Sequence, residues 1–195
     1  MDNQEFPDEN ILKKREEKLK KEYATLEDGI YLQGNIMTFK REEILDLFLL
    51  MIPTNFEIMP EEYANVKYPS TFRPQHLLTS EDLTVNMGFS VFPNNLQADM
   101  KQTLQRVKQT LENEQDAFSF SESTPIKDIE GYYFEFRQQA IDGDLYHMMA
   151  LVKKNQNLYQ LSFNCLFSDQ LDWQNIALQM WESIDFIKDK GGARK

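Results

Sequence analysis

The sequence predicts an α+β domain in which a mostly antiparallel sheet lies under amphipathic helices. Three observations lead there. Leu96, Met100, Leu104, Val107 and Leu111 step by four, four, three and four, the spacing of one helix face. Behind them AFSFSES, GYYFEFRQQ, LYHMMALV and NLYQLSFNCLF alternate or run apolar between short polar connections, as an antiparallel meander does. SDQLDWQNIALQMWESIDF then returns to helical spacing, with Trp173, Ile176, Ala177, Met180 and Ile184 on one side. Two helices with one apolar stripe each must bury those stripes, and the sheet is the surface on offer.

Each element follows in order. DENILKKREEKLKKEYA, residues 8 to 24, predicts a charged helix whose apolar stripe (Ile11, Leu12, Leu19, Tyr23) is thin. Its cluster Lys13, Lys14, Arg15, Lys18, Lys20 and Lys21 is interleaved with Glu16, Glu17 and Glu22, which fits a solvated helix better than a grip on an acidic partner. IYLQGNIMTFKR predicts a strand or hairpin turning at Gly34 and Asn35. Glu42 to Phe48 is open to a helical turn, whereas the run Leu47 to Ile52, stopped by Pro53, predicts a buried strand. Pro60, Glu61 and Glu62 suit a first helical turn, ended before Pro69. Ser70 starts a turn, Pro74 holds Arg73 extended, and QHLLTS continues as a strand, expected at a sheet edge. Val85, Met87, Phe89 and Val91 alternate with Asn86, Gly88 and Ser90, the pattern of a half-buried strand. Asn94 or Asn95 caps the next helix, IDGD makes a hairpin turn, and Ser168 caps the last helix.

Composition excludes several functions. With 21 Lys and Arg against 32 Asp and Glu, the net charge is −11. Phosphate backbones and anionic membrane surfaces repel such a chain, so neither nucleic acid nor membrane is an expected partner. Cys165 is the only cysteine, which rules out an intrachain disulfide and a thiolate metal cage. MDNQEFPDEN carries no apolar signal region, and no apolar run approaches the roughly 20 residues of a membrane helix. A cytoplasmic protein is the expectation.

LFLLMIPTNFEIMP, the KYPSTFRPQ corner, the helix after FSVFP, and the ending YFEFRQQAIDGDLYHMMALVKKNQNLYQLSFNC with its following Trp carry a resemblance. In that order they resemble the Mog1/PsbP-like α/β/α sandwich superfamily. The likeness is closest to uncharacterised single-domain members from Gram-positive bacteria. It covers residues 29 to 187, leaving 1 to 28 as a charged leader and 188 to 195 as a tail. The resemblance implies a scaffold more than a task. Relatives include an extrinsic photosystem II subunit, a Ran-binding nuclear transport factor, and DcrB-like proteins, some of which are chaperones for secreted effectors. This chain shows no export signal or lipobox, which speaks against an extracytoplasmic role like that of PsbP or the DcrB-like proteins, and no Ran-contacting residue maps onto it by motif.

The chemistry-bearing residues are few. His147 should be a hydrogen-bonded core residue on a strand face with Leu145 and Met149, and His76 a surface residue. Asp142 and Asp144 flank Gly143 in a turn, without the further oxygens a calcium loop needs. Cys165 shares strand parity with Tyr159, Leu161, Phe163 and Phe167, so a buried inert thiol is expected. No nucleophile elbow, phosphate loop, dinucleotide fingerprint or zinc-protease motif occurs. No cofactor and no metal is expected. Tyr68, Phe72, Arg73 and His76 are the candidate partner contacts, because aromatics with Arg between prolines make a preformed surface. The alternative is a stiff corner in which Arg73 pairs with a local acid such as Glu61 or Glu62. The functional expectation is a non-catalytic cytoplasmic module that binds a protein or peptide. A secretion-type chaperone would instead need a long apolar groove, and an enzyme a deep cleft with convergent acids.

Overall fold

A computed structural model describes residues 7–70, 73–93, 99–114, 117–140 and 143–187. The chain opens with α1 (Pro7–Glu22) and a small antiparallel sheet of β1 (Ala24–Thr25), β2 (Gly29–Leu32) and β3 (Asn35–Met37). β4 (Phe39–Ile44) and β5 (Phe48–Pro53) form a hairpin, then come β6 (Glu57–Ile58), α2 (Glu61–Lys67), β7 (His76–Thr79) and β8 (Asn86–Phe92). α3 (Met100–Glu114), β9 (Ala117–Phe118), β10 (Thr124–Pro125), β11 (Gly131–Gln138), β12 (Leu145–Lys154) and β13 (Asn157–Leu166) follow. A 3-10 turn (Phe167–Asp169) leads into α4 (Gln170–Glu182), and β14 (Asp185–Phe186) ends the described chain.

The main sheet runs β10-β11-β12-β13-β8-β7-β6, with β9 on the other half of the β11 edge. Its ladders are antiparallel. One face packs Met87, Phe89, Met148, Ala150, Leu161 and Phe163 against α4 and against a second three-stranded sheet, β14-β5-β4. The other face carries α3 through Phe134, Phe136, Met149 and Leu151, and α2 through Leu77. The result is an α+β sandwich with helices on both faces.

Several local expectations need correcting. The β2–β3 turn is Gln33–Gly34, both at positive φ, rather than Gly34–Asn35. Glu42 to Ile44 is strand, because Leu45 and Asp46 take positive φ and close a tight hairpin. β8 is not half-buried: Met87 and Phe89 face α4, while Asn86, Gly88 and Ser90 are covered from the other side. AFSFSES yields only the two-residue β9, since Ser119 at φ 56° turns the chain away. Pro60 stands one position before α2, as its N-cap. Asp99 caps α3, its carboxylate accepting the Gln102 N–H at 3.0 Å. Asn94, Asn95 and Leu96 lie outside the described residues, as do Ile141, Asp142 and the tail 188–195. Ser168 does not cap α4; it sits in the 3-10 turn and donates to Asp169 at 2.9 Å.

The last helix buries more than its predicted stripe. Trp181 is fully enclosed, edge-on to Phe89 at 6.4 Å. The β1–β3 sheet is tied to α4 by Gln33 donating to Asp172 (2.8 Å) and Gln179 donating to the Ala24 carbonyl (3.5 Å). Leu26 and Ile30 join the core there, so the residues just before Gly29 already contribute to packing. α1 itself presents Ile11 and Leu12 to solvent and half-buries Leu19, with Tyr23 half-buried just beyond its end.

Candidate functional site

The described residues of the KYPSTFRPQ corner lie against the polar side of β8 and β13. Tyr68 ends α2 and packs on Met59, Ala64 and Leu77. Its phenol oxygen accepts from Asn164 Nδ2 (2.8 Å), Asn164 Oδ1 accepts from Asn86 Nδ2 (3.0 Å), and Asn86 Oδ1 accepts from Thr79 Oγ1 (2.8 Å). This chain links β13, β8 and β7 beneath the corner and gives buried amides the partners they need. Burial raises the Tyr68 pKa, and the Asn164 hydrogen bond only partly opposes it, so the phenol stays neutral.

Pro74 sits directly on Gly88. A Cβ there would lie 2.5 Å from Pro74 Cγ and 2.6 Å from Ser162 Oγ, which is why a glycine interrupts a strand built from bulky residues. Gln75 then copies a strand neighbour with its side chain: Oε1 accepts the Val91 N–H at 3.2 Å and Nε2 donates to the Val91 carbonyl at 3.4 Å. Arg73 is half-buried and donates to Asn65 Oδ1 on α2 at 2.6 Å. The expected carboxylate partner is thus replaced by an amide, because α2 turns Asn65 toward the corner. Phe72 lies outside the described residues.

His76 turns the other way. It stands on the α4-side face of β7, tilted against Phe89 at 6.1 Å, so Tyr68 and His76 point to opposite faces of the sheet. β7 is not an edge strand over its second half, where β6 pairs with Leu78 and Thr79; His76 lies beyond the end of β6. Desolvation lowers its pKa, and Glu42 on β4 opposes the shift.

Glu42 belongs to an open groove of about 340 Å³ between β4 and the β6–β7 edge, floored by Ile52, Phe56 and Leu78 and rimmed by Lys40 and Ile58. Ile58 is 69% exposed, large for an isoleucine in a strand. Lys40 and Glu42 pair at 3.1 Å on the wall. A second open groove of about 570 Å³ lies at the opposite end of the β4–β5 hairpin, where Glu43, Asp46, Asn155, Tyr159 and Phe186 meet. Sequence inspection missed both grooves. Ile58 stands alone between Glu57 and Met59, and no periodicity could mark it.

The remaining candidates serve the fold. His147 stacks on Phe136 at 4.6 Å and 9°, and its buried Nε2 has no partner, contrary to the expected hydrogen bond. Its neighbour across β13 is Asn164, whose amide is already committed to Tyr68. Burial drives the His147 pKa down to about 4. Cys165 is fully buried, and burial pushes its thiol up to about 12, so no thiolate nucleophile exists at neutral pH. Asp144 pairs with Arg137, whose guanidinium lies over the Phe167 ring at 3.9 Å. Glu135 accepts from Gln174 Nε2 at 2.9 Å. Among the described residues, no three His, Cys, Asp or Glu side chains converge as a metal site, and no helix is long and apolar enough to cross a membrane.

No protein-family model matches the sequence, and no curated protein does. Solved structures match the fold. The cyanobacterial PsbP of Synechocystis (CyanoP) aligns with a TM-score of 0.54 at 10% identity, over 82% of this chain and 98% of that one. The Ran-binding protein Mog1p of Saccharomyces cerevisiae aligns with a TM-score of 0.52 at 11% identity, over 76% of this chain and 95% of that one. The architecture is therefore the Mog1/PsbP-like fold that the sequence resembles.

Proposed function

We propose that this chain is a non-catalytic cytoplasmic module that binds a protein or peptide. The observation that carries this is the groove between β4 and β6: it is open along its length, bounded by strand edges, and presents Ile58 exposed on its rim. Such a depression offers contact area and main-chain hydrogen bonds, the ingredients of peptide recognition. Mog1p, on the same scaffold, is a Ran-binding protein. At 11% identity the scaffold transfers and the partner does not. Of the three candidate contacts among the described residues, His76 is the one beside this groove, two residues along β7 from Leu78 on the same face. Tyr68 and Arg73 hold the corner together.

The test compares the full chain with two variants in capture from native cytosol, followed by quantification of what is retained. The parent should retain a partner in stoichiometric amount, and His76→Ala should retain less. Arg73→Ala should retain as much once folded, while losing about 1 kcal/mol of stability with its Asn65 hydrogen bond. No stoichiometric partner in any cytosolic fraction would refute the proposal.

A further inference from the structure

β4 is the edge of its sheet, and its sequence is complementary to itself when reversed. Thr54 donates to the Thr38 carbonyl at 2.9 Å, in the register that pairs Lys40 with Ile52 and Glu42 with Leu50. Residues in phase with Thr38 turn their N–H and C=O toward β5, and the alternate residues turn theirs away. Phe39, Arg41 and Glu43 therefore present main-chain donors and acceptors on the open side, where these have no partner among the described residues. The side chains of Arg41 and Glu43 share a face with Asp185 of β14, and Arg41 lies 3.9 Å from Asp185. Lys40 and Glu42 point to the opposite face, where they pair at 3.1 Å on the wall of the groove. Along the strand the run is Lys40, Arg41, Glu42, Glu43, two cations followed by two anions. A reversed copy of that run brings its anions to the cations of the first.

We propose that β4 pairs antiparallel with β4 of a second copy of this chain, about a twofold axis at Arg41, joining the two three-stranded sheets into one. In that register Phe39 faces the second copy's Glu43 and Arg41 faces its own counterpart. Each of these pairs exchanges N–H···O=C bonds, so all the outward main-chain groups of Phe39, Arg41 and Glu43 find partners. In the closely spaced pairs between them, Lys40 faces the second copy's Glu42, twice by symmetry. With the internal Lys40–Glu42 pairs these close a ring of alternating charge at the seam. The like-charge contact is Arg41 against Arg41. Its guanidinium is exposed, lies near Asp185 of its own chain, and has the second copy's Glu43 as a diagonal neighbour. The adjacent twofold register, centred on Glu42, is poorer. It sets Glu42 against Glu42 and puts Phe39 opposite Leu45, whose positive φ takes it out of the ladder.

Charged side chains on an edge strand ordinarily discourage pairing. Here their order selects one arrangement, because a neighbour without the same run in reverse leaves Lys40 and Glu42 facing unmatched side chains. The net charge of −11 on each copy repels at long range, and physiological salt screens that repulsion beyond about 8 Å. Lys40 and Glu42 also line the groove between β4 and β6, so pairing sets the two grooves side by side at the axis and makes each copy's Lys40 and Glu42 part of the other's rim. The inference goes beyond the binding-module reading and does not depend on it, since the β6 edge with its exposed Ile58 takes no part in the pair.

The experiment is sedimentation of the full chain from about 1 to 500 μM at physiological salt, the range for an interface below standard size. The parent should pass from monomer to dimer as concentration rises, and amide exchange at Arg41 and Glu43 should slow with it. Lys40→Glu and Glu42→Lys each turn both facing opposite-charge pairs into like-charge pairs. Each should weaken dimerisation at least about tenfold, with a urea melt like the parent's, because both side chains are well exposed. Mixing the two variants in equal amounts restores opposite charge at both facing positions and should restore a dimer of one copy of each. That recovery keeps the test decisive even if one variant loses some stability, since misfolded chains would not pair. The proposal is overturned if the parent stays monomeric throughout, if either variant dimerises as tightly as the parent, or if the mixture stays monomeric. A dimer in which the Arg41 and Glu43 amides exchange as fast as in the monomer would overturn it too, because the contact would then lie elsewhere.

Discussion

Replacing His147 by leucine should flatten the acid limb of the stability curve. In the folded chain the imidazole lies against Phe136 with Nε2 buried and unpaired, and its pKa falls to about 4 from the ordinary 6.5. Unfolding returns it to water, where it binds a proton more readily. The unfolded state therefore takes up more protons between those two values, and stability falls as pH drops through that window. Above pH 6.5 the contribution is fully present; by pH 4 it is largely lost. Linkage gives a loss of about 2 kcal/mol between pH 7 and pH 5 and about 3 kcal/mol by pH 4 from this one group. Urea melts of the parent and His147→Leu at pH 7, 6, 5 and 4 isolate the term, because other titrating groups are common to both chains. Any fixed cost of leucine, such as the lost ring stacking, shifts the variant by a constant and leaves the slope untouched. The stability difference should move by about 2 kcal/mol in the variant's favour from pH 7 to pH 5. Parallel curves would refute the reasoning and show that the imidazole is solvated or finds an acceptor in the folded state.

Three further outcomes follow from packing. Gly88→Ala should cost about 1–3 kcal/mol, because its methyl would overlap Pro74 and Ser162, and the Pro74 contact should loosen first; an unchanged urea midpoint would mean the corner does not rest on this strand. Trp173→Ala should cost about 3–5 kcal/mol, since the ring is buried against Phe56 and Phe163 at 6.1 and 5.8 Å; a loss under about 1 kcal/mol in urea melts would show that α4 is not seated by that face. Deleting residues 1 to 24 should leave a domain that melts cooperatively within a few degrees of the parent, because α1 exposes Ile11 and Leu12 and half-buries Leu19, with Tyr23 half-buried just beyond its end; loss of the cooperative transition in calorimetry would make the leader part of the fold.

The elements that the sequence marks plainly are those whose own pattern repeats. Met100, Leu104, Val107 and Leu111 on α3, and Trp173, Ile176, Ala177 and Met180 on α4, each recur with the helix period, so one face could be named without knowing what it meets. The meander β11–β12–β13 was equally legible, since tight polar turns leave antiparallel neighbours as the only short connection. Cys165 was placed correctly as a buried thiol for the same reason: strand parity fixes the face of a residue once its neighbours are known.

What escaped was whatever a second element supplies. β8 alternates apolar and polar as a half-exposed strand would, yet Tyr68, Pro74 and Gln75 arrive from fourteen or so residues upstream and cover its polar side. His147 looked like a histidine with a partner, but the amide across from it is spent on Tyr68. Tyr68 and His76 are close in sequence and end on opposite faces, because Tyr68 packs with α2 while His76 stands in β7 at the parity that faces Phe89. The groove follows the same rule: its floor and walls come from β4, β5, β6 and β7, and no segment carries enough of it to show a pattern. By itself the sequence determined periodicity, and so the elements and their inner faces. Only the tertiary structure decided which polar groups meet and which strand edge stays open, because those depend on the relative placement of elements that local backbone geometry does not encode.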